Sequence, residues 1–205
     1  MTGAVIWGLV ISSLAVIVVR RRSLAIALVA AQSLGLGAYA FTQGSHASTA
    51  LAVTGTVLIA KALVLPALLL LTVRRARKER LIATELPALG RLAIAVAAAL
   101  AVEQLIPRFG LTGAGAEHAA VGLLALGILT AVVRRAVLFQ ALGFLVAENG
   151  IYLAGLSLPG GLPAFIELGL VFDLVVIVSV AAAFAAKIHE QLGSGDSSLL
   201  EALRD

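Results

Sequence analysis

Cysteine is missing from all 205 positions of the chain. That absence removes disulfides, thiolate metal sites, iron–sulfur ligation and a cysteine nucleophile together. Charge is scarce as well: 13% of residues are Asp, Glu, Lys or Arg, against about 25% in an ordinary soluble domain. The three histidines, His46, His118 and His189, lie near different helix ends, so no metal site is expected. Gly-rich phosphate loops, a nucleophile elbow and paired soluble carboxylates are lacking too. The sequence thus expects no catalytic site of its own and no cofactor.

What is present is apolar: 61% of residues are hydrophobic and the mean hydropathy is +1.09. Such a composition implies an integral, all-α membrane protein, with room for several spans of about 20 residues and little else. Apolar segments run over 2–19, 23–42, 49–73, 88–106, 117–133, 136–157 and 163–186, giving seven expected transmembrane helices. The breaks are chemically sensible, among them "RRR" at 20–22, "TQGSHAS" at 42–48, "PRFGLTGAG" at 107–115 and "RR" at 134–135. The first span is short, and the fourth carries Arg91 and Glu103 near its ends. Charges follow the first apolar run where a secretory signal has them before it, so this run is expected to stay as a helix.

Lys and Arg are retained on the cytoplasmic side of a membrane. With seven spans and the N-terminus outside, thirteen of the fifteen basic residues fall inside, Arg108 faces out and Lys61 is intramembrane. The C-terminus is then cytoplasmic. The net charge of +4 reads as a topology signal; nucleic-acid binding is not expected, because the basic clusters sit in tight turns without interleaved aromatics.

Five ionisable groups fall within the expected spans: Lys61, Glu103, Glu148, Glu167 and Asp173. Each costs about 2.5–3.5 kcal/mol at a helix centre, so such groups face a partner or water, and by default they suggest function. Glu148 lies about 20 Å beyond Arg135 along a helix axis, and Asp173 about 15 Å inside Pro163, so both are near mid-membrane. Glu167 is about one turn in, where a carboxylate is equally explained by the helix dipole. Glu103 is close to Pro107 and equally suits an interfacial residue beside Arg108. For Lys61, Glu148 and Asp173 the alternative is a structural interhelical ion pair. Pro66 removes the helical bond to the carbonyl of Ala62, beside Lys61, which either exposes backbone to water or merely kinks the helix.

Two stretches echo each other. "VVRRRSLAIALVAAQSLGLGAYA" at 18–40 and "VVRRAVLFQALGFLVAENGIYLAG" at 132–155 share an Arg-rich turn, an apolar run and a polar pair, Gln32–Ser33 against Glu148–Asn149. Helices one to three then echo five to seven, with helix four as connector.

"RRAVLFQALGFLVAENGIYL" resembles the middle helix of subunit K of respiratory NADH:quinone oxidoreductase and of its counterpart in multisubunit cation/proton antiporters. This match covers about residues 117–205. "ENG" and "PAFIELGLVFDLVVIV" resemble more closely the hydrogenase-4 component E family of membrane-bound hydrogenase and formate-oxidising complexes, over most of the chain. The resemblance implies a membrane region at 1–115, a three-helix subunit K-like region at 116–190 and a cytoplasmic tail at 191–205. It also implies a multi-pass subunit of the inner (cytoplasmic) membrane, beside antiporter-like subunits and other membrane subunits of a hydrogenase or complex I-like assembly. Within the family, carboxylates on these helices belong to a lateral proton path. The resemblance puts Glu148, Asp173 and Glu167 on that path; Lys61 is added as a deep intramembrane charge, with Asn149, Gln140, Glu103 and Gln32 as candidate support. Aligning Gly143 and Asn149 puts the subunit K carboxylate at Leu145, so Glu148 sits three residues later on nearly the same face. Counting from the tail favours Asp173, whereas the local "IELG" string favours Glu167.

The rival readings are a scaffold joining larger membrane subunits and a small stand-alone transporter. In the tail, Ser198 and Glu201 have capping-box spacing, and Leu199, Leu200 and Leu203 form one apolar edge, as in a short docking helix.

Overall fold

A long apolar segment in hydrocarbon satisfies its backbone polar groups internally only as a helix or a closed barrel. The computed structural model describes residues 2–43, 59, 62–64, 67, 86–105, 115–157, 179 and 183, and among these there is helix and no strand. Among the described residues there are five helices: α1 (Thr2–Val18), α2 (Arg22–Gln43), α3 (Ala88–Leu105), α4 (Ala116–Val133) and α5 (Val137–Leu156). Each matches an expected segment to within one residue at either end. The expected spans at 49–73 and 163–186 lie outside the described residues apart from isolated helical positions.

Among the described residues, three stretches are long and apolar enough to cross a membrane: Arg22–Ala40, Ala116–Val133 and Val137–Leu156. Gly3–Val18 and Ala88–Val102 are shorter apolar helices. At 17 residues, α1 reaches about 25 Å, a few ångströms less than a hydrocarbon core of about 30 Å. The apolar part of α3 stops before Glu103 and Gln104 at its last turn.

The tightest packing is between α4 and α5. A Cβ on Gly143 would lie 2.6 Å from both the Gly127 carbonyl oxygen and the Ala131 nitrogen. One on Gly150 would lie 2.5 Å from the Ala120 carbonyl oxygen. Gly127 and Ala131 on α4, and Gly143 and Ala147 on α5, are small residues four apart, the spacing that lets two helix backbones approach closely. The remaining helices are layered on this hairpin: α1 lies against α2, α3 and α4, and α2 against α5. Ile26, Leu36, Leu123, Leu142 and Tyr152 fill the main apolar core, and Ile17, Ala95 and Leu126 join α1, α3 and α4 in a smaller one. Gly115 precedes α4 at φ 82°, a left-handed conformation in which any side chain is strained.

Polarity is distributed inside out. Trp7, Ile11, Leu89, Leu100, Ile128, Val132 and Phe144 are exposed, while Gln32, Ser33, Arg91, Arg134, Glu148 and Asn149 are buried. A soluble fold hides the first set and solvates most of the second. Apolar outer surface around a polar interior suits a bilayer.

Candidate functional site

Glu148 occupies the interior of α5, eleven residues beyond its first residue, Val137, or about 17 Å along a helix about 30 Å long. It is 7% exposed, and both carboxylate oxygens are shielded from solvent. Leu145, the position that the expected subunit K alignment points to, is buried one turn earlier. Both positions therefore look into the bundle.

Asn149, the next residue, is completely buried and ties α5 to α2. Its Nδ2 donates to Gln32 Oε1 at 3.0 Å and to Ser33 Oγ at 3.1 Å. Ser33 Oγ donates back to Asn149 Oδ1 at 3.2 Å. Gln32 carries the chain of bonds on to α1, donating through Nε2 to the Leu9 carbonyl at 2.9 Å and to Ser13 Oγ at 2.7 Å. Ser12 and Ser13 also donate to the Leu9 carbonyl, at 2.7 and 3.0 Å. The amide and hydroxyl hydrogens of Ser13, Gln32, Ser33 and Asn149 thus all have acceptors, as buried polar groups require. The result is a neutral polar layer through α1, α2 and α5 at mid-bundle, with Glu148 beside it in sequence.

The layer joins the two stretches that echo each other. Gln32–Ser33 stand ten and eleven residues beyond Arg22, at nearly the depth of Glu148–Asn149 beyond Val137. Asn149 of the second pair is bonded to both members of the first, and the helices that carry them lie side by side.

The Arg-rich turns meet as well. Arg134 Nη1 donates to the carbonyls of Ile17 at 3.3 Å and Val19 at 3.0 Å. Arg91 Nη2, from the first turn of α3, donates to the Val18 carbonyl at 3.2 Å. These are terminal carbonyls of α1, which have no partner within their own helix, and the negative end of its dipole favours the cations. Arg134 is further held over the Phe139 ring, with Cζ 3.4 Å from the centroid. Both side chains are nearly inaccessible. Read from sequence, they are topology charges; folded, they close the end of a helix.

Among the other expected site residues, Gln140 is half-buried on α5, and Glu103 lies in the last turn of α3 with its side chain outside the described set. Lys61, Pro66, Glu167, Asp173, the tail after 190, His46 and His189 lie outside the described residues. His118 is exposed on α4, and no group of metal-ligating side chains occurs among the described residues. Sequence reasoning missed Ser13 and Glu117. Ser12–Ser13 is a hydroxyl pair in mid-run, a signal of the same kind as Gln32–Ser33. Glu117 is a buried carboxylate in the first turn of α4, where the helix dipole favours it.

Comparison with known protein families and with solved structures gives no match. Among curated proteins, the chain is 35% identical over 86 residues to "Uncharacterized protein Rv0085" of Mycobacterium tuberculosis. That alignment covers 42% of this chain and 38% of the relative, so the chain spans well under half of the relative's length.

Proposed function

We propose that this protein is a non-redox membrane subunit of a proton- or sodium-translocating complex related to membrane-bound hydrogenase and respiratory NADH:quinone oxidoreductase. In this reading it has seven spans, an external N-terminus and a place in the inner membrane beside antiporter-like subunits. Glu148 is one stop on a lateral path of protonatable groups that continues through Asp173, Glu167 and Lys61. The observation that carries the proposal is the position of Glu148: a carboxylate with both oxygens shielded, midway along an apolar helix. Ionisable groups at such depth are costly, and transport is a common reason for keeping them. Desolvation opposes the charged form of a buried carboxylate and a nearby cation favours it, so charge movement in the path can switch its proton occupancy.

Asn149 has a positioning role in this scheme. Its amide is fixed by Gln32 and Ser33, which sets the rotation of α5 about its axis and hence the face that Glu148 presents. A pure scaffold would need the same lock but not a titratable group beside it. Glu148→Gln separates the two, since Gln keeps the shape and hydrogen-bonding capacity while removing the charge. In membrane vesicles containing the native complex, the variant is expected to assemble with its partners and to move fewer protons per turnover. Normal pumping by the assembled variant overturns the role of Glu148. A stand-alone transporter would purify without stoichiometric partners.

A further inference from the structure

Two turns far apart in sequence form one surface at the end of the bundle where α1 and α4 finish and α2, α3 and α5 begin. The Arg134 bond to the Val19 carbonyl, 3.0 Å long, brings the turn at 19–21 against the one at 134–136. Arg91 and Arg134 are turned inward onto α1, whereas Arg20, Arg21 and Arg135 are exposed. Among the described segments at this end, residues 15–30, 88–95 and 128–142 contain no Asp or Glu. The N-termini of α2 and α5 add their positive dipole ends here, and the N-cap of α5, Ala136, makes no side-chain capping bond.

Beside these arginines runs apolar surface. Val132 is 75% exposed and Ile128 is 52% exposed, one turn apart on α4 and leading away from Arg135. We infer that this end of the bundle binds an anionic membrane lipid, with the headgroup phosphodiester on Arg20, Arg21 and Arg135 and an acyl chain along Val132 and Ile128. Guanidinium groups match phosphate oxygens in planar, bidentate geometry, and cations near a membrane surface attract anionic headgroups. Free phosphate would make no use of the stripe on α4. The apolar stripe is what selects a lipid over a soluble anion. The inference is independent of the proton path.

Native mass spectrometry of the full chain in neutral detergent tests it, with phosphatidylglycerol and phosphatidylcholine of identical acyl chains as probes. Phosphatidylglycerol is expected to stay bound where phosphatidylcholine is lost. Arg20→Gln, Arg21→Gln and Arg135→Gln should each weaken retention of phosphatidylglycerol by roughly fivefold. The pair Ile128→Ser and Val132→Ser keeps every charge and is expected to weaken it too. Equal retention of the two lipids overturns the proposal, as does displacement of phosphatidylglycerol by equimolar inorganic phosphate. Should an arginine variant fail to purify, the wild-type selectivity and the serine pair decide the matter.

Discussion

Asn149 on α5 and Gln32 on α2 are 117 positions apart in sequence and share a hydrogen bond of 3.0 Å in the middle of the bundle. Through Gln32 the link continues to the Leu9 carbonyl, so one chain of side chains spans three helices. Asn149→Leu leaves Gln32 Oε1 and Ser33 without their partner in a buried place. The expected loss is about 1–2 kcal/mol, since hydrogen bonds between membrane helices are worth less than isolation from water suggests. Thermal unfolding in detergent measures it. Adding Gln32→Leu is expected to recover part of the loss, because replacing both partners is milder than orphaning one. Strictly additive losses would mean that the two amides are not coupled.

The α4–α5 hairpin makes a prediction about glycine. A Cβ on Gly127 would fall on the backbone of Ala147 and within 2.6 Å of the Gly143 carbonyl oxygen. Neither neighbour is a flexible side-chain end, so the helices must separate. Gly127→Ala is expected to destabilise the fold by about 1–3 kcal/mol, as overpacking does. Gly122, on the same helix, would place its Cβ in open space. Gly122→Ala should therefore be neutral or stabilising by up to about 1 kcal/mol from helix propensity. Unfolding midpoints of the two variants compare them directly, and equal effects would argue against close backbone contact at Gly127.

The positions of the five described helices were legible in the sequence because breaks such as the Arg-rich turns and "PRFGLTGAG" are local, and local chemistry decides where a helix stops. Glu148 was legible for a related reason: a carboxylate in an apolar run stands out whatever surrounds it. Its setting was not. The bonds from Asn149 to Ser33 and from Arg134 to Val19 join residues more than a hundred positions apart, and no single stretch contains both partners. A trace existed in the echo between the two Arg-turn segments, whose polar pairs meet at one depth. Arg91 and Arg134 show the limit of charge counting, which assigns arginines to a side of the membrane but not to a particular carbonyl.

In the proposed path the second carboxylate is a choice between Asp173 and Glu167, which by sequence position fall near the middle of the expected span 163–186 and about one turn from its start. Desolvation grows with depth, so the deeper group suits a site whose proton occupancy is switched. Asp173→Asn is expected to reduce proton movement in vesicles containing the intact complex more severely than Glu167→Gln. The reverse order would make the "IELG" string the better guide and leave Asp173 with a structural part.

Arg134 makes the strongest stability prediction, because three interactions converge on one planar group. Its Nη1 reaches the Ile17 and Val19 carbonyls at 3.3 and 3.0 Å, and its Cζ stands 3.4 Å from the Phe139 ring centroid. Arg134→Met keeps apolar bulk but removes the side chain that donates to the Ile17 and Val19 carbonyls, at an expected cost of about 1.5–3 kcal/mol for charge-assisted hydrogen bonds. Arg134→Lys retains the charge that the helix dipole favours. A compact ammonium lacks the guanidinium's planar face for stacking on Phe139 and its rigid fork of donors. Unfolding midpoints are therefore expected to fall in the order Arg, Lys, Met. Phe139→Leu should cost about 0.5–2 kcal/mol beyond its change in volume when Arg134 is present, and less in the lysine variant, where the stacked partner is gone. A lysine variant as stable as wild type would reduce the role of Arg134 to charge alone, and the ring beneath it to packing.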